Sequence, residues 1–209
     1  MLTSTYTLVA LSVEQTSARA ALQALLDELQ ALPAEPASLP ASRAAELGGT
    51  LRRVYDDCHW RKLDQFLVPA LRCHTGAADA LLDELEALSS LAAEAMVEAE
   101  ATVRARAGAA AEVDGAGFLG AALRSVGALQ LRLEREEHEL FPLARSAVGN
   151  DAWFALANQM MAHDVYARER RAMPRTPAAP GTPGSGLPVA GERLQAESAR
   201  WHQALLAAH

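Results

Sequence analysis

The charged segment from Leu131 to Arg145 holds the side chains most suited to chemistry. It reads LRLEREEHELFPLAR and combines four glutamates, three arginines and one histidine with an apolar Leu-Phe-Pro sequence. At about 3.6 residues per turn, Arg132 and Glu136 share a helix face with neighbouring leucines. Charges that point into a core need compensation. We therefore predict that these two side chains belong to a buried site.

Two further polar residues interrupt apolar stripes elsewhere in the chain. Gln15 lies within a stripe that repeats every three or four residues between Leu8 and Leu32. His59 lies within a second stripe, whose other members are Leu51, Tyr55, Leu63, Phe66 and Ala70. The pattern predicts a buried polar network of Gln15, His59, Arg132 and Glu136.

The composition indicates an all-α protein. Alanine and leucine dominate, half of the 209 residues are hydrophobic, and no two-residue alternation predicts a sheet. The net charge of −7 argues against nucleic-acid binding, because phosphates require a basic surface. No apolar run approaches the roughly 20 residues that span a bilayer, so no membrane association is expected. Two cysteines and no signal-peptide pattern favour a cytoplasmic location.

Helical periodicity and breaker residues divide the chain into elements. Four long helices joined by short breaks predict an antiparallel up-down four-helix bundle, with extra C-terminal helices. The stretch with three prolines between Pro33 and Pro40 separates the first two helices. The predicted helices cover residues 3–32, 42–72, 74–104, 120–147 and 152–171.

The C-terminal part of the sequence differs from the bundle in composition. Residues 1–172 form the predicted bundle, and residues 173–191 form a linker rich in proline and glycine. Residues 192–209 regain a helical pattern that includes Trp201. This last helix is expected to dock on the bundle, or else to mediate contact with a protein partner or self-association.

Two segments resemble a known family. The Glu136-Glu137 pair followed by Leu140-Phe141-Pro142 is similar to the second ligand helix of hemerythrin-like HHE cation-binding proteins. The interval from His59 to Pro69 reproduces the family's first His-to-Pro spacing. The resemblance extends over about residues 6–165 and implies the same bundle fold.

The resemblance also implies a metal site, which this sequence departs from. Family members hold two irons with one histidine from each of four helices and two bridging glutamates. By this correspondence, His59 and Glu136 are the metal ligands that remain. Gln15 and Arg132 stand in the positions of two histidines, and Leu63 stands in the position of a glutamate.

No histidine matches the third helix of the family. His74 is the one candidate, and it lies beside a turn, roughly 18 Å along the axis from the level of His59. Leu85 is expected to face inward at the His59 level.

The preferred interpretation of these departures is a degenerate cation site in a non-catalytic binding or sensing module. In that reading Arg132 pairs with Glu136, and no cofactor is expected. The alternative is an iron-binding HHE-type protein that responds to oxygen or redox state. A mononuclear site that recruits Asp64, Glu137 or His138 also stays open, as does acid–base chemistry by His59 beside Glu136.

Overall fold

The computed structural model describes residues 2–33, 36–105 and 112–172. The predicted linker (residues 173–191) and the predicted C-terminal helix (residues 192–209) lie outside these ranges. The described residues are almost entirely helical, which confirms the predicted all-α class. The α-helices are α1 (Leu2–Gln30), α2 (Ala41–His59), α3 (Val68–His74), α4 (Asp79–Arg104), α5 (Gly115–Arg135), α6 (Phe141–Ala147) and α7 (Asn150–Ala172).

Helices α1, α2, α4 and α5 form the predicted four-helix bundle. Helix α1 packs against α2 and α5, and α4 packs against the same two helices. Two short strands, β1 (Ser38–Pro40) and β2 (Glu112–Asp114), pair antiparallel just before α2 and α5. Strand β1 lies in the connection between α1 and α2, and β2 lies in the connection between α4 and α5. Because the strand pair brings these two connections to one end of the bundle, consecutive long helices run in opposite directions. The sequence did not reveal the strands, since three residues are too few to show an alternation.

The second and fourth predicted helices are each interrupted by a π-helical turn. The first π turn covers Leu63–Leu67 and the second covers Glu136–Leu140. In each turn the closing N–H, of Val68 or of Phe141, bonds to the carbonyl five residues earlier. A proline lies two residues after the end of each turn (Pro69 and Pro142), and its ring cannot continue the four-residue hydrogen-bond pattern. The predicted continuous helices are therefore corrected to α2–π–α3 and α5–π–α6.

The apolar interior consists of two separate clusters. The strand-side core includes Leu22, Leu51 and Phe118, together with residues of both strands. The opposite core includes Leu67 and Leu140, together with residues of α7. Because no hydrophobic cluster of described residues joins them, the middle of the bundle must be filled differently.

Helix α7 closes the end of the bundle opposite the strands. Its Trp153, Leu156 and Met160 are buried in the opposite core. Phe154 and Met161 of the same helix are exposed. An α-helix on a bundle surface buries only one stripe, and these two side chains fall outside that stripe.

Two glycines of α5 give a matched test of this packing. A Cβ at Gly115 would lie 2.5 Å from the Pro36 carbonyl oxygen, so Gly115→Ala should lower the free energy of unfolding by about 1–3 kcal/mol. A Cβ at Gly127 would meet no atom within 4 Å, so Gly127→Ala should raise it by up to about 1 kcal/mol through helix propensity. Urea unfolding of the two variants would measure both shifts. Equal shifts of the same sign would contradict the described contact.

Candidate functional site

A layer of polar side chains fills the middle of the bundle between the two apolar cores. On α1, for example, Leu11 belongs to the opposite core and Ala18 to the strand-side core, with the buried Gln15 between them. The other helices follow the same order. We call the polar layer the set formed by Gln15, Arg61, Asp64, Ser89, Arg132 and Glu136.

The strongest contact in the layer joins Arg61 to Glu136. Arg61 Nη1 donates to Glu136 Oε2 at 2.7 Å, and Nη2 donates to Oε1 at 2.6 Å, which makes a two-pronged fork. Arg61 Nε donates to the carbonyl oxygen of Cys58 at 2.8 Å. The Glu136 side chain is 0% exposed, so this ion pair is fully removed from water.

The Arg132 guanidinium contacts oxygen atoms from three elements. Its Nη1 donates to Ser89 Oγ at 2.7 Å, and its Nη2 donates to Asp64 Oδ1. Its Nε lies 3.1 Å from Glu136 Oε1. Arg132 therefore links α4, the first π turn and the second π turn across the interior.

The formal charges of the polar layer cancel. Arg61 and Arg132 contribute two positive charges, and Asp64 and Glu136 contribute two negative charges. Burial raises the pKa of the Asp64 carboxyl, against the pull of the two guanidiniums. Burial acts to lower the pKa of Arg61, but the hydrogen bond to Glu136 and the charges of Glu136 and Asp64 together outweigh it, and the pKa is raised. Arg61 therefore stays protonated over the whole physiological range.

Gln15 attaches α1 to the same layer. Its Nε2 donates to the Leu133 carbonyl oxygen at 2.6 Å. Arg19 Nη2 donates to the same oxygen at 3.2 Å and also bonds Glu137 at 2.5 Å on the surface. The Leu133 carbonyl lies in the helical turn before the second π turn, where the regular hydrogen-bond pattern changes. Gln15 thus satisfies a backbone acceptor of α5 with its amide nitrogen.

His59 does not join the layer, and the prediction that it is buried there is wrong. The residue is exposed at the last position of α2, with its ring stacked on Tyr55 at 5.8 Å and edge-on to Trp60 at 5.1 Å. The inward face of this helix lies one residue earlier and presents Cys58. Arg61, two residues beyond His59, takes the interior position.

Sequence reasoning missed Arg61, Asp64 and Ser89. Arg61 had a signal, because it extends a regular stripe of Leu51, Val54 and Cys58 at three- and four-residue steps. Asp64 belongs to the mononuclear alternative and not to the predicted network, and it follows the break at Trp60 and Arg61 that ends α2, so the periodicity of α2 does not predict its direction. Glu137 and His138, named with it, are exposed. Ser89 is a small hydroxyl residue that gave no periodic signal.

The residues present do not fit a two-iron centre. Among the described residues, no group of three or more His, Cys, Asp or Glu side chains is close enough to hold a metal ion. The two inward carboxylates, Asp64 and Glu136, already bind guanidiniums, and the interior has no described histidine to complete a ligand set. His74 is exposed beside its turn, and Leu85 faces inward as predicted.

The polar layer also has no reactive thiol. Burial raises the pKa of the Cys58 thiol to about 11, so it stays protonated at neutral pH. Cys73 is exposed on the surface of α3. Among the described residues, no helix combines the length and apolarity needed to cross a bilayer.

The sequence of the chain was compared with profiles of known protein families. The profile of the hemerythrin HHE cation binding domain matches residues 17–144, more than half of the chain. The chain belongs to the hemerythrin HHE cation-binding family. The matched range includes every member of the polar layer except Gln15. No curated protein and no solved structure matches the chain significantly. This hemerythrin-family chain thus has the family's bundle with a different set of side chains at its centre.

Removal of the charge on Glu136 tests the layer's structural importance. Glu136→Gln leaves Arg61 and Arg132 opposed by one carboxylate in a dry site, so the free energy of unfolding should fall by about 3–5 kcal/mol. Glu137→Gln, at the neighbouring exposed position, removes only a surface ion pair with Arg19 and should cost less than about 1 kcal/mol. Chemical denaturation of both variants gives the comparison. Equal losses would show that Glu136 is not buried in an ion pair.

Proposed function

We propose that this hemerythrin-family protein is a non-catalytic binding or sensing module that works without a metal ion. The single observation that carries the proposal is the buried fork between Arg61 and Glu136. The carboxylate that would contribute to a family-type cation site uses both of its oxygen atoms to hold a guanidinium. A divalent cation at this level would have to displace that partner and approach two fixed positive charges.

The donor set supports the absence of a resident iron. A two-iron centre needs several neutral imidazoles and bridging carboxylates, and each inward carboxylate here has an arginine partner. Gln15 presents its amide nitrogen to the Leu133 carbonyl, so this side chain is committed to the backbone. If a metal ligand were lost and nothing else changed, a buried carboxylate would lack a compensating positive charge. The two arginines supply this charge and make the polar layer neutral.

The proposed lack of catalysis follows from the same contacts. A general acid or base must exchange a proton near the working pH, and an arginine cannot do so. Glu136 is fully hydrogen-bonded and excluded from water, and His59 is on the surface away from it. The polar layer therefore serves to fix the relative positions of four helices. Binding then belongs to the outer surface of the bundle or to the C-terminal residues.

Metal analysis of the purified wild-type protein tests this function. Protein purified without chelator, and protein incubated anaerobically with excess Fe(II) and then desalted, should both contain less than about 0.1 iron per chain, because no described ligand set can retain the ion. Elemental analysis and an absorption spectrum in air measure this. Two irons per chain with an oxo-iron absorption band would contradict the proposal and favour the oxygen- or redox-responsive alternative.

A further inference from the structure

The environment of Arg132 has the form of a receptor for a single organic cation. Ser89 Oγ and Asp64 Oδ1 accept hydrogen bonds from its Nη1 and Nη2, and Glu136 Oε1 lies 3.1 Å from its Nε as an ion-pair contact without a hydrogen bond. These oxygen atoms come from three separate elements. We propose that they form a guanidinium-binding site whose covalently attached occupant is Arg132. The inference rests on the proposed function, because it requires that the layer holds no metal.

The hydroxyl of Ser89 is oriented to accept a hydrogen bond from a guanidinium. Ser89 Oγ donates its hydrogen to the Leu85 carbonyl oxygen at 3.1 Å. A lone pair of the same oxygen is then left to accept from Arg132 Nη1 at 2.7 Å. The hydroxyl is therefore held as an acceptor, which suits a cation with N–H groups. A planar guanidinium can satisfy such acceptors in several fixed directions at once.

The local charge selects an occupant of one positive charge. If the Arg132 side chain is removed, Asp64 and Glu136 remain with two negative charges against one positive charge on Arg61. The site then has a net charge of −1, and a monovalent cation restores neutrality. A divalent ion would overcompensate and would lie close to the buried guanidinium of Arg61. The site therefore prefers a small guanidinium ion to a divalent metal ion.

A small cation also has a route to this site. The Asp64 side chain is 21% exposed, whereas the other charged members of the layer are nearly inaccessible. Asp64 Oδ2 has no hydrogen-bond partner in the described structure, although Arg61 Nη2 lies 3.9 Å away. This oxygen is itself buried, so an ion would enter beside the exposed part of the Asp64 side chain and would offer an N–H group to Oδ2 only from within the site. In the wild-type chain Arg132 occupies the guanidinium-binding site permanently, so the binding of a free cation to this site cannot act as a signal.

Chemical rescue of Arg132→Ala tests the proposal. The variant should melt at a lower temperature than the wild type, and methylguanidinium chloride at 1–50 mM, on the order of a weak-site dissociation constant, should raise the melting temperature saturably. At saturation the ion should restore at least about half of the lost melting temperature. Equal concentrations of NaCl or MnCl₂ should restore much less. Arg135→Ala removes an exposed arginine from the same helix and should show no rescue.

Two further measurements keep the test decisive. If Arg132→Ala is unfolded without additive, the helical circular dichroism signal should rise with methylguanidinium in the same saturable way. Arg132→Met, which keeps the chain length without the charge, should be as unstable as Arg132→Ala. The proposal is overturned by no rescue, by equal rescue of Arg135→Ala, or by a methionine variant as stable as the wild type. An iron-free wild type combined with no rescue would overturn this inference alone, whereas stoichiometric iron would overturn the proposed function.

Discussion

The ion pair between Arg61 and Glu136 is the interaction on which the rest of the structure depends. A carboxylate that is completely excluded from water costs several kcal/mol unless a well-placed cation satisfies it. The fork supplies two hydrogen bonds of 2.7 and 2.6 Å in one plane, and the Cys58 carbonyl holds the third guanidinium nitrogen. Such a pair adds little net stability over an apolar filling of equal volume. Once it exists, however, neither partner can be lost without a large penalty.

Two helix irregularities lie next to this ion pair. Asp64 lies in the first π turn and Glu136 begins the second, and a proline follows shortly after each turn. Glu136 keeps the regular four-residue spacing from Arg132, so the ordinary helical register of α5 already directs it inward. A π turn inserts one extra residue into the helical count and rotates the side chains that follow, so the second turn changes the register of the residues after Glu136.

Membership of the hemerythrin family and the polar layer fit together through charge balance. In a cation-binding bundle, inward carboxylates are compensated by metal ions that come from outside the chain. In this chain, the compensating positive charges are the guanidiniums of Arg61 and Arg132, which are part of the protein itself. We therefore propose that both the folding of the bundle and its function are independent of metal.

Much of this fold could be predicted from the sequence, and the failures have definite causes. The three- and four-residue spacing of leucines and the Glu-Glu-x-x-Leu-Phe-Pro motif indicated the bundle and its family. The same spacing indicated that Arg132 and Glu136 point inward, and the structure buries both. The choice of His59 over Arg61 was a register error, because two adjacent stripes of α2 are similarly apolar and the family resemblance favoured the histidine.

Other features depended on information that a single sequence does not hold. Asp64 follows a break in the helix at Trp60 and Arg61, and helical periodicity assumes a constant count per turn. The strand pair forms between segments that are about 70 residues apart, and each is too short to show a strand pattern. The contact of Ser89 with Arg132 depends on the packing of α4 against α5.

A double-mutant cycle between Arg61 and Glu136 tests the central claim most directly. Arg61→Met and Glu136→Met each leave one buried charge without its partner, and each should lower the free energy of unfolding by about 3–5 kcal/mol. The double variant removes both charges at similar volume, so it should lose less stability than either single variant. Losses that simply add would contradict the claim that a buried guanidinium–carboxylate pair holds the centre of this bundle.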